Sequence, residues 1–340
     1  MTTIYWYVIG GVVIAGVIAL IPALYVTNRV APYAYPNARV RAMKAKLIRT
    51  EELINLAQRP YNDIIYYLEQ NHYPNLSSHT GPDLSFASLD AALRNHLVET
   101  LEKIKRISPQ DTKPYLQALL DKYDIQVVEN VTRSLATDTN ITTDILHQTK
   151  IFSKEFINKQ EHTLNDLRNE LKGTQLEKII SEHQTAINNH EFKAFEQALD
   201  LLYFKGLRSK ANSQAAKNYT KRLIDSHNVA LINKQEEAII PGGKISCEEL
   251  NNVQTTNELV QRLQEAGYEV QETQKQLIER AMQENLKKYA KTLLDKDPLS
   301  QASIIGFTAL KIINVRNTAI LLKMKYHDLP AQEIAEVLAR

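Results

Sequence analysis

Two residue types are scarce in this chain of 340 residues, cysteine and glycine. Cys247 is the only cysteine, which excludes a fold built on internal disulfides. Three of the ten glycines lie in the first sixteen residues, which leaves seven for the rest of the chain. Glycine supplies many tight turns, so its scarcity disfavours β-hairpins. The abundance of leucine, alanine, glutamine, glutamate and lysine favours long helices, and we predict an all-α protein.

Acidic residues are absent from the first fifty positions, and the first is Glu51. Ile4 to Val26 carries no charge of either sign, and a helix of this length spans about 34 Å, enough for a bilayer core of about 30 Å. Aromatic residues at both ends of the run are typical of membrane interfaces. A cleaved signal peptide is the alternative, but no lysine or arginine precedes the run, and the run is long for a signal core. We therefore predict a transmembrane helix within residues 1–30.

Basic residues follow this run and none precedes it: Arg29, Arg39, Arg41, Lys44 and Lys46. The positive-inside rule then predicts a single-pass protein of the cell membrane, with its N-terminus outside and its body on the cytoplasmic side. Small residues recur at every fourth position of the run and form a stripe suited to close helix packing: Gly11, Ala15, Ala19 and Ala23. A lipid-facing helix with incidental small residues explains the stripe equally well.

The overall charge is nearly balanced, at a formal +2 with 24% charged residues. This composition does not indicate a nucleic-acid partner or an acidic substrate. The basic cluster at 29–49 is instead suited to anionic lipid headgroups. The body is long enough to bury a sizeable core, divided among several subdomains.

The body repeats itself along the chain. The stretch 51–73 returns at 248–268, first at an offset of 197 residues and then at 195, with these paired positions: Glu51 and Glu248, Leu53 and Leu250, Leu68 and Leu263, Tyr73 and Tyr268. A helical apolar stripe at 89–97 returns at 278–286 and, more faintly, at 195–203. Such stripes are typical of core packing.

Four further positions, each predicted to begin a helical stretch, recur at separations of 90, 101 and 89 residues: Asn37, Val127, Asn228 and Asn317. A polar residue stands three positions before the later three of them: Asp124, Asp225 and Asn314. We predict three pseudo-symmetric helical-bundle repeats at 31–118, 119–220 and 221–340, the last with a truncated fourth unit. If the repeats close into a ring and the chain begins partway through one of them, the chain ends are expected to fall within a repeat.

Two stretches resemble catalytic or metal-binding motifs but lack required residues. Ile239–Ser246 contains Gly-Gly-Lys, yet Ala238 and Ile245 stand where a phosphate loop needs glycine and a hydroxyl, so a plain turn is expected. His190-Glu191 begins like a zinc motif, but Ala194 stands where the second histidine belongs. The sequence therefore predicts no catalytic site, no metal and no cofactor.

The polar signature residues have two interpretations. Asp124, Asp225 and Arg316 are of a type that performs acid–base chemistry. Their recurrence at equivalent positions favours a structural role instead, either in capping helices or in hydrogen bonds between helices. An enzyme seldom needs its catalytic acid three times.

Three stretches in combination resemble one family: Asn37–Lys44, Ile240–Lys244 and Lys311–Asn317. They are similar to the C subunit of the archaeal and bacterial V/A-type ATP synthases, whose eukaryotic counterpart is called the d subunit. The resemblance extends over about residues 33–340. It implies a funnel of three helical domains, seated on the rotor ring of c/K proteolipids, that receives the tip of the central axle formed by the D and F subunits.

The resemblance also implies a non-catalytic rotor subunit that couples the axle to the ring for ion transport and ATP synthesis or hydrolysis. It implies the ring, the axle and the bilayer as partners, with no nucleic acid and no small-molecule substrate. The sequence departs from the family at Asn314, where an acid is common, and at Val127, where the other copies have asparagine. Family members also typically begin near Tyr33, without a membrane helix.

Two other functions remain open from the sequence. One is a membrane-tethered helical adaptor that recruits soluble partners. The other is a membrane-anchored hydrolase whose site is assembled from distant residues such as Asp225 and His190.

Overall fold

A computed structural model describes residues 26–74, 76, 86–139, 141, 146, 149–235 and 238–339. These residues form helices and turns and no β-strand, so the predicted all-α fold is confirmed for them. The transmembrane helix predicted within residues 1–30, with its stripe of Gly11, Ala15, Ala19 and Ala23, lies outside the described part of the chain.

A π-helical turn at Val26–Val30 leads into the described α-helices. In chain order these are α1 Ala31–Lys44, α2 Thr50–Ala57, α3 Tyr61–Asn71, α4 Phe86–Ile107, α5 Lys113–Ala136, α6 Lys154–Ile157, α7 Leu164–Glu170, α8 Gln175–Glu182, α9 Gln184–Asn188, α10 Lys193–Lys210, α11 Gln214–Asn233, α12 Cys247–Asn251, α13 Thr256–Glu265, α14 Lys275–Lys296, α15 Gln301–Tyr326 and α16 Ala331–Ala339.

Six long helices form three helical hairpins with short tips. Hairpin A consists of α4 and α5, hairpin B of α10 and α11, and hairpin C of α14 and α15. The second helix of each hairpin packs on the first helix of another: α5 on α10, α11 on α14, and α15 on α4. These contacts form a closed cycle, because hairpin C returns to hairpin A.

Short helices connect the hairpins at the ends opposite the tips. Two short helices after hairpin A correspond to two after hairpin B, and each of these four is capped at its N-terminus by a serine or threonine hydroxyl. Ser153 and Ser246 cap α6 and α12, and Thr163 and Thr255 cap α7 and α13. Each oxygen accepts a hydrogen bond from the backbone N–H three residues later, which satisfies a donor that the helix leaves unpaired.

The N-terminal and C-terminal parts of the chain pack together. Helix α15 contacts α1, α3 and α4, and α16 lies against α2. At Gly306, an added Cβ would lie 2.5 Å from the carbonyl oxygen of Ala290 and from the backbone nitrogen of Leu294, so only glycine permits this approach of α15 to α14. The C-terminal helices therefore complete the bundle that the N-terminal helices begin.

Buried side chains fall into three clusters. One lies between 127 and 199 and covers the helices that follow hairpin A. A second lies between 229 and 282 and covers those that follow hairpin B. The third combines residues from 33 to 120 with residues from 203 to 240 and from 286 to 338, which joins the two chain ends to the centre.

One described helix, α15, is long and apolar enough to cross a membrane by composition. Most of its apolar stretch is buried inside the protein, and a core helix of a soluble body has the same properties. It is therefore only weak evidence for a membrane span.

Candidate functional site

A buried aspartate organises the turn between α11 and α12. Asp225 is 1% exposed, and its carboxylate accepts hydrogen bonds from Lys244 N at 2.9 Å and from the Tyr268 hydroxyl at 2.6 Å. Ile245 N donates to its second oxygen at 3.4 Å. Burial raises the pKa of Asp225, while the bonds from Tyr268 and the backbone oppose that rise. An added Cβ at Gly243 would overlap this carboxylate, so the turn requires glycine there.

One turn of helix further on, Asn228 holds the same connection. Its side chain donates to Ile240 O and accepts from Ile240 N, each at 2.9 Å. This pairing satisfies both backbone groups of a residue that is buried. Asp225 and Asn228 together bind the Gly-Gly-Lys stretch, which is a structural turn between helices, as the sequence predicts.

Helix α15 repeats this arrangement with residues from the N-terminal part of the chain. Asn314 accepts a hydrogen bond from Ile48 N at 3.4 Å, donates to Ile48 O at 2.8 Å and accepts from the Tyr73 hydroxyl at 3.4 Å. Ile48 and Tyr73 are the positions that align with Ile245 and Tyr268 at the offsets of 197 and 195. An aspartate in one contact is thus an amide in the other.

A cation lies over the tyrosine ring in both contacts. The Arg222 guanidinium carbon lies 5.2 Å from the centre of the Tyr268 ring, and Lys311 Nζ lies 4.7 Å from that of Tyr73. Each cation stands three residues before the polar residue that binds the tyrosine hydroxyl. Lys311 is 6% exposed, and this burial lowers its pKa to about 8.

The third equivalent position, Asp124, makes a simpler contact. It accepts a hydrogen bond of 2.5 Å from the Thr149 hydroxyl, whose oxygen in turn accepts from Ile151 N at 3.1 Å. Burial raises the pKa of Asp124. Val127 stands where the other copies have an amide, and it packs in the apolar cluster that follows hairpin A.

The other signature residues lie elsewhere. Asn37 is 1% exposed and donates to Pro298 O at 2.7 Å and to Ser300 O at 3.0 Å, at the tip of hairpin C. Arg316 donates to Gln283 Oε1 at 2.6 Å. Asn317 lines a groove between α1, α14 and α15.

The sequence prediction about helix starts is wrong. Asn37, Val127, Asn228 and Asn317 all lie inside helices. The repeated polarity marks the points at which a helix binds the adjacent turn. It therefore reflects hydrogen bonds between elements and does not mark where a helix begins.

Solvent-accessible cations from two hairpins interact at a place that we call the recess. The sequence singled out Arg316 but not Lys122. Lys122 on α5 and Arg316 on α15 are both exposed, although most neighbouring residues of α15 are buried. Loss of hydration lowers the pKa of Lys122, Asp200 opposes this, and the charges of Arg316 and Arg94 add to the lowering. Hairpin B completes the recess, because the ring of Tyr203 lies 5.7 Å from Lys122 Nζ.

The described residues contain no group of three or more histidine, cysteine, aspartate or glutamate side chains arranged to hold a metal ion. His190 lies in a turn with a left-handed backbone, at φ 62°, and its ring is next to that of Phe192. It lies far along the chain from Asp225, and no described contact joins the two residues.

The fold and these contacts define an all-helical protein whose polar positions hold its own helices and turns together. Comparison with protein families identifies the class: the model for the ATP synthase (C/AC39) subunit matches residues 36–337. The chain therefore belongs to this family, which contains the C subunit of the A-type ATP synthases.

Individual relatives agree at low identity. The chain is 26% identical to the C subunit of the A-type ATP synthase of Thermococcus kodakarensis over 330 residues, which covers 90% of both chains. It is 22% identical to that of Pyrococcus furiosus, with the same coverage. Against the corresponding protein of Archaeoglobus fulgidus it is 25% identical, covering 93% of this chain and 98% of the relative.

Proposed function

We propose that this protein is a non-catalytic part of the rotor, which links the axle formed by the D and F subunits to the proteolipid ring of an A-type ATP synthase. Family membership supports the complex to which it belongs. The closed cycle of hairpins A, B and C supports the mechanical role, because a closed ring of packed helices resists shear better than an open row. Torque applied at one end of such a body is transmitted through packed side chains.

The recess that contains Lys122 and Arg316 is the proposed seat for the axle. It lies where helices from all three hairpins meet, so an object held there contacts the whole cycle. Loss of hydration and the charges of Arg316 and Arg94 lower the pKa of Lys122, and a cation in such surroundings favours an anionic partner. We therefore propose that the inserted tip presents acidic groups or helix C-termini to these side chains.

The membrane arrangement belongs to the same proposal. The N-terminal run spans the bilayer once, with the N-terminus outside and the body in the cytoplasm, as its charge distribution predicts. Three repeats, with the bounds predicted from the sequence, form a funnel on the ring. The three hairpins support that number of units.

Co-isolation of the whole complex tests this function. We expect the tagged full-length chain to bring down the ring and the axle together. Reversing the charges in the recess, with Lys122→Glu and Arg316→Glu, should lower the amount of co-isolated axle at least tenfold. The urea unfolding midpoint should stay near that of the unaltered chain. The control pair Lys172→Glu and Lys193→Glu, two exposed lysines outside the recess, should leave the axle bound.

Two other outcomes would contradict this proposal. A chain that binds one soluble protein and ignores ring and axle would be the membrane-tethered adaptor. Retention of the axle by the charge-reversed variant would place its seat elsewhere on the body.

A further inference from the structure

We propose that one end of the body, formed by the hairpin tips and the outer face of α1, lies directly on the headgroups of anionic membrane lipids. This tip end is defined by the turns at 108–112, 211–213 and 297–300 together with α1. The inference goes beyond the rotor function, because it assigns a lipid-binding surface to residues of the folded body.

Hydrogen bonds hold the three tips and α1 together as a unit. Asn212 donates to Asp111 O at 2.6 Å, and Gln301 donates to Asn212 Oδ1 at 3.3 Å, which links all three hairpins. The Tyr33 hydroxyl donates to Asp111 Oδ2 at 2.5 Å, and Asn37 binds the tip of hairpin C. Helix α1 therefore has one fixed orientation, and its outer face is a defined surface of the body.

That outer face is apolar between two cations. Tyr33, Pro36, Asn37 and Val40 are the buried residues of α1. The opposite face exposes four alanines and one tyrosine: Ala31, Ala34, Tyr35, Ala38 and Ala42. Tyr35 is 65% exposed, and Leu299 in the tip of hairpin C is 47% exposed. At 100° per residue, Arg39 and Arg41 fall on the two edges of this face, as expected of a helix at a membrane interface.

The electrostatics favour anionic lipid over a neutral surface. Residues 26–50 contain six cations and no acid, and the three tip turns contain two acids, Asp111 and Asp297. Lys44 pairs with Asp295 at 2.7 Å, and Arg41 approaches Leu294 O at 3.5 Å. Within the described structure Arg29, Arg39 and Lys46 make no ion pair with an acidic side chain, and Arg39 and Lys46 are exposed. Near an anionic bilayer each such cation strengthens the attraction to the surface.

The sequence places this surface close to the bilayer. The uncharged run ends at Val26, five residues before Ala31. Five residues span at most about 18 Å even when fully extended. With the run in the hydrocarbon core, the first turn of α1 cannot rise far above the headgroup region, which is also where Tyr35 is favoured.

A fluorescence experiment on the full-length chain tests the proposal. In a Cys247→Ser background, one probe is attached after Ala38→Cys and, in a second protein, after Lys172→Cys. The latter position follows α7, near the end of hairpin A that is opposite its tip. At about 1.5 Å per residue, the 24 residues of α5 make this hairpin about 36 Å long. Both proteins are placed in nanodiscs of phosphatidylcholine, with or without one third phosphatidylglycerol, that contain headgroup spin-labelled quencher lipid.

We expect the probe at position 38 to be quenched several-fold more than the probe at 172, and more strongly in the anionic nanodiscs. Arg39→Glu with Lys46→Glu should remove the effect of lipid charge, and Lys172→Glu with Lys193→Glu should not. Equal quenching at both positions, or quenching that ignores lipid charge and the reversed pair, would overturn the proposal. The proposal would also be overturned if, in the assembled complex, position 38 crosslinked to the proteolipid ring and its probe were shielded from lipid. Each of these results leaves the rotor function intact, because none depends on release of the axle.

Discussion

The contact centred on Asp225 and the one centred on Asn314 occupy equivalent positions but handle charge differently. In the first, an ionisable carboxylate accepts three hydrogen bonds and Arg222 lies over the tyrosine ring. In the second, a neutral amide binds Ile48 and Tyr73, and the cation over the ring is the buried Lys311. The first contact joins residues at most 43 positions apart, whereas the second joins residues as much as 266 positions apart.

This difference shows how one polar motif can be reused at a chain closure. A carboxylate accepts hydrogen bonds but donates none, so it suits a turn that presents two N–H groups and a hydroxyl. An amide both donates and accepts, so it pairs with both backbone groups of Ile48. The amide at Asn314 therefore preserves the contact seen at Asp225 while changing its chemistry.

Loss of the aspartate should have the largest effect on stability. Asp225→Ala leaves the donors at Lys244, Ile245 and Tyr268 without their acceptor in a buried site, and we expect a loss of about 3–4 kcal/mol in the free energy of unfolding. Asn314→Ala removes a weaker set of bonds and should cost about 1–3 kcal/mol. Urea denaturation of the two variants measures the difference, and equal losses would show that the two contacts are energetically alike.

The turn around Asp225 depends on glycine. Gly243→Ala places a methyl group in the space of the Asp225 carboxylate, and we expect a loss of about 1–3 kcal/mol. Gly206 in α10 is the matched control, because an added Cβ there meets nothing within 4 Å. Gly206→Ala should stabilise the protein by up to about 1 kcal/mol through helix propensity. Thermal unfolding that ranks the two variants in the opposite order would contradict this account of the turn.

The burial of Lys311 should destabilise the contact centred on Asn314. Because the pKa of Lys311 falls from 10.5 to about 8 on folding, the folded state binds this proton more weakly than the unfolded state does. Stability should therefore rise with pH between about 8 and 10.5, where the unfolded chain still holds the proton. Lys311→Met should stabilise the protein at neutral pH, by about 1–3 kcal/mol, and should flatten that rise.

The pH dependence of unfolding, followed in both proteins from neutral to alkaline pH, checks this prediction. Arg222→Met is the control at the equivalent position, and it should give no such stabilisation, because Arg222 is less buried and Asp225 is nearby. A Lys311→Met variant that is less stable than the unaltered chain at neutral pH would show that the contact with Tyr73 outweighs the cost of burial.

A smaller effect is expected in acid at the same contact. Burial, followed by the charge of Lys311, lowers the pKa of His96, next to the ring of Tyr73, from 6.5 to about 4. The unfolded chain then binds the proton more readily, so stability should fall as the pH drops from 6.5 towards 4. His96→Gln should reduce that fall, as measured by urea midpoints at successive pH values. An unchanged pH profile would argue against the burial of this ring.

Much of this architecture could be predicted from the sequence because helices leave periodic patterns. The apolar stripes at 89–97, 195–203 and 278–286 correspond to the first helices of hairpins A, B and C. The paired tyrosines at 73 and 268 have equivalent hydroxyl contacts in the structure. The sequence also favoured a structural role for Asp225, either in capping helices or in hydrogen bonds between helices.

Other features could not be read from the pattern. The partner of Asn314 lies 266 residues away at Ile48, and no local signal reports a contact of that range. Lys122 looks like an ordinary surface residue in the sequence, because only packing shows that it lies near Arg316. The predicted bounds at 118 and 220 fall inside α5 and α11. When the chain begins partway through a repeat, the sequence carries no signal that shows where one helix ends and the next begins.

Site-specific crosslinking in the assembled ATP synthase is the most direct test of the rotor function. A photoreactive amino acid replaces Arg316 in the recess, and the same residue replaces Lys172 at the outer surface as the control. We expect an adduct between position 316 and the axle, and none between position 172 and the axle. An assembled complex in which position 316 crosslinks only to components other than the axle would contradict it.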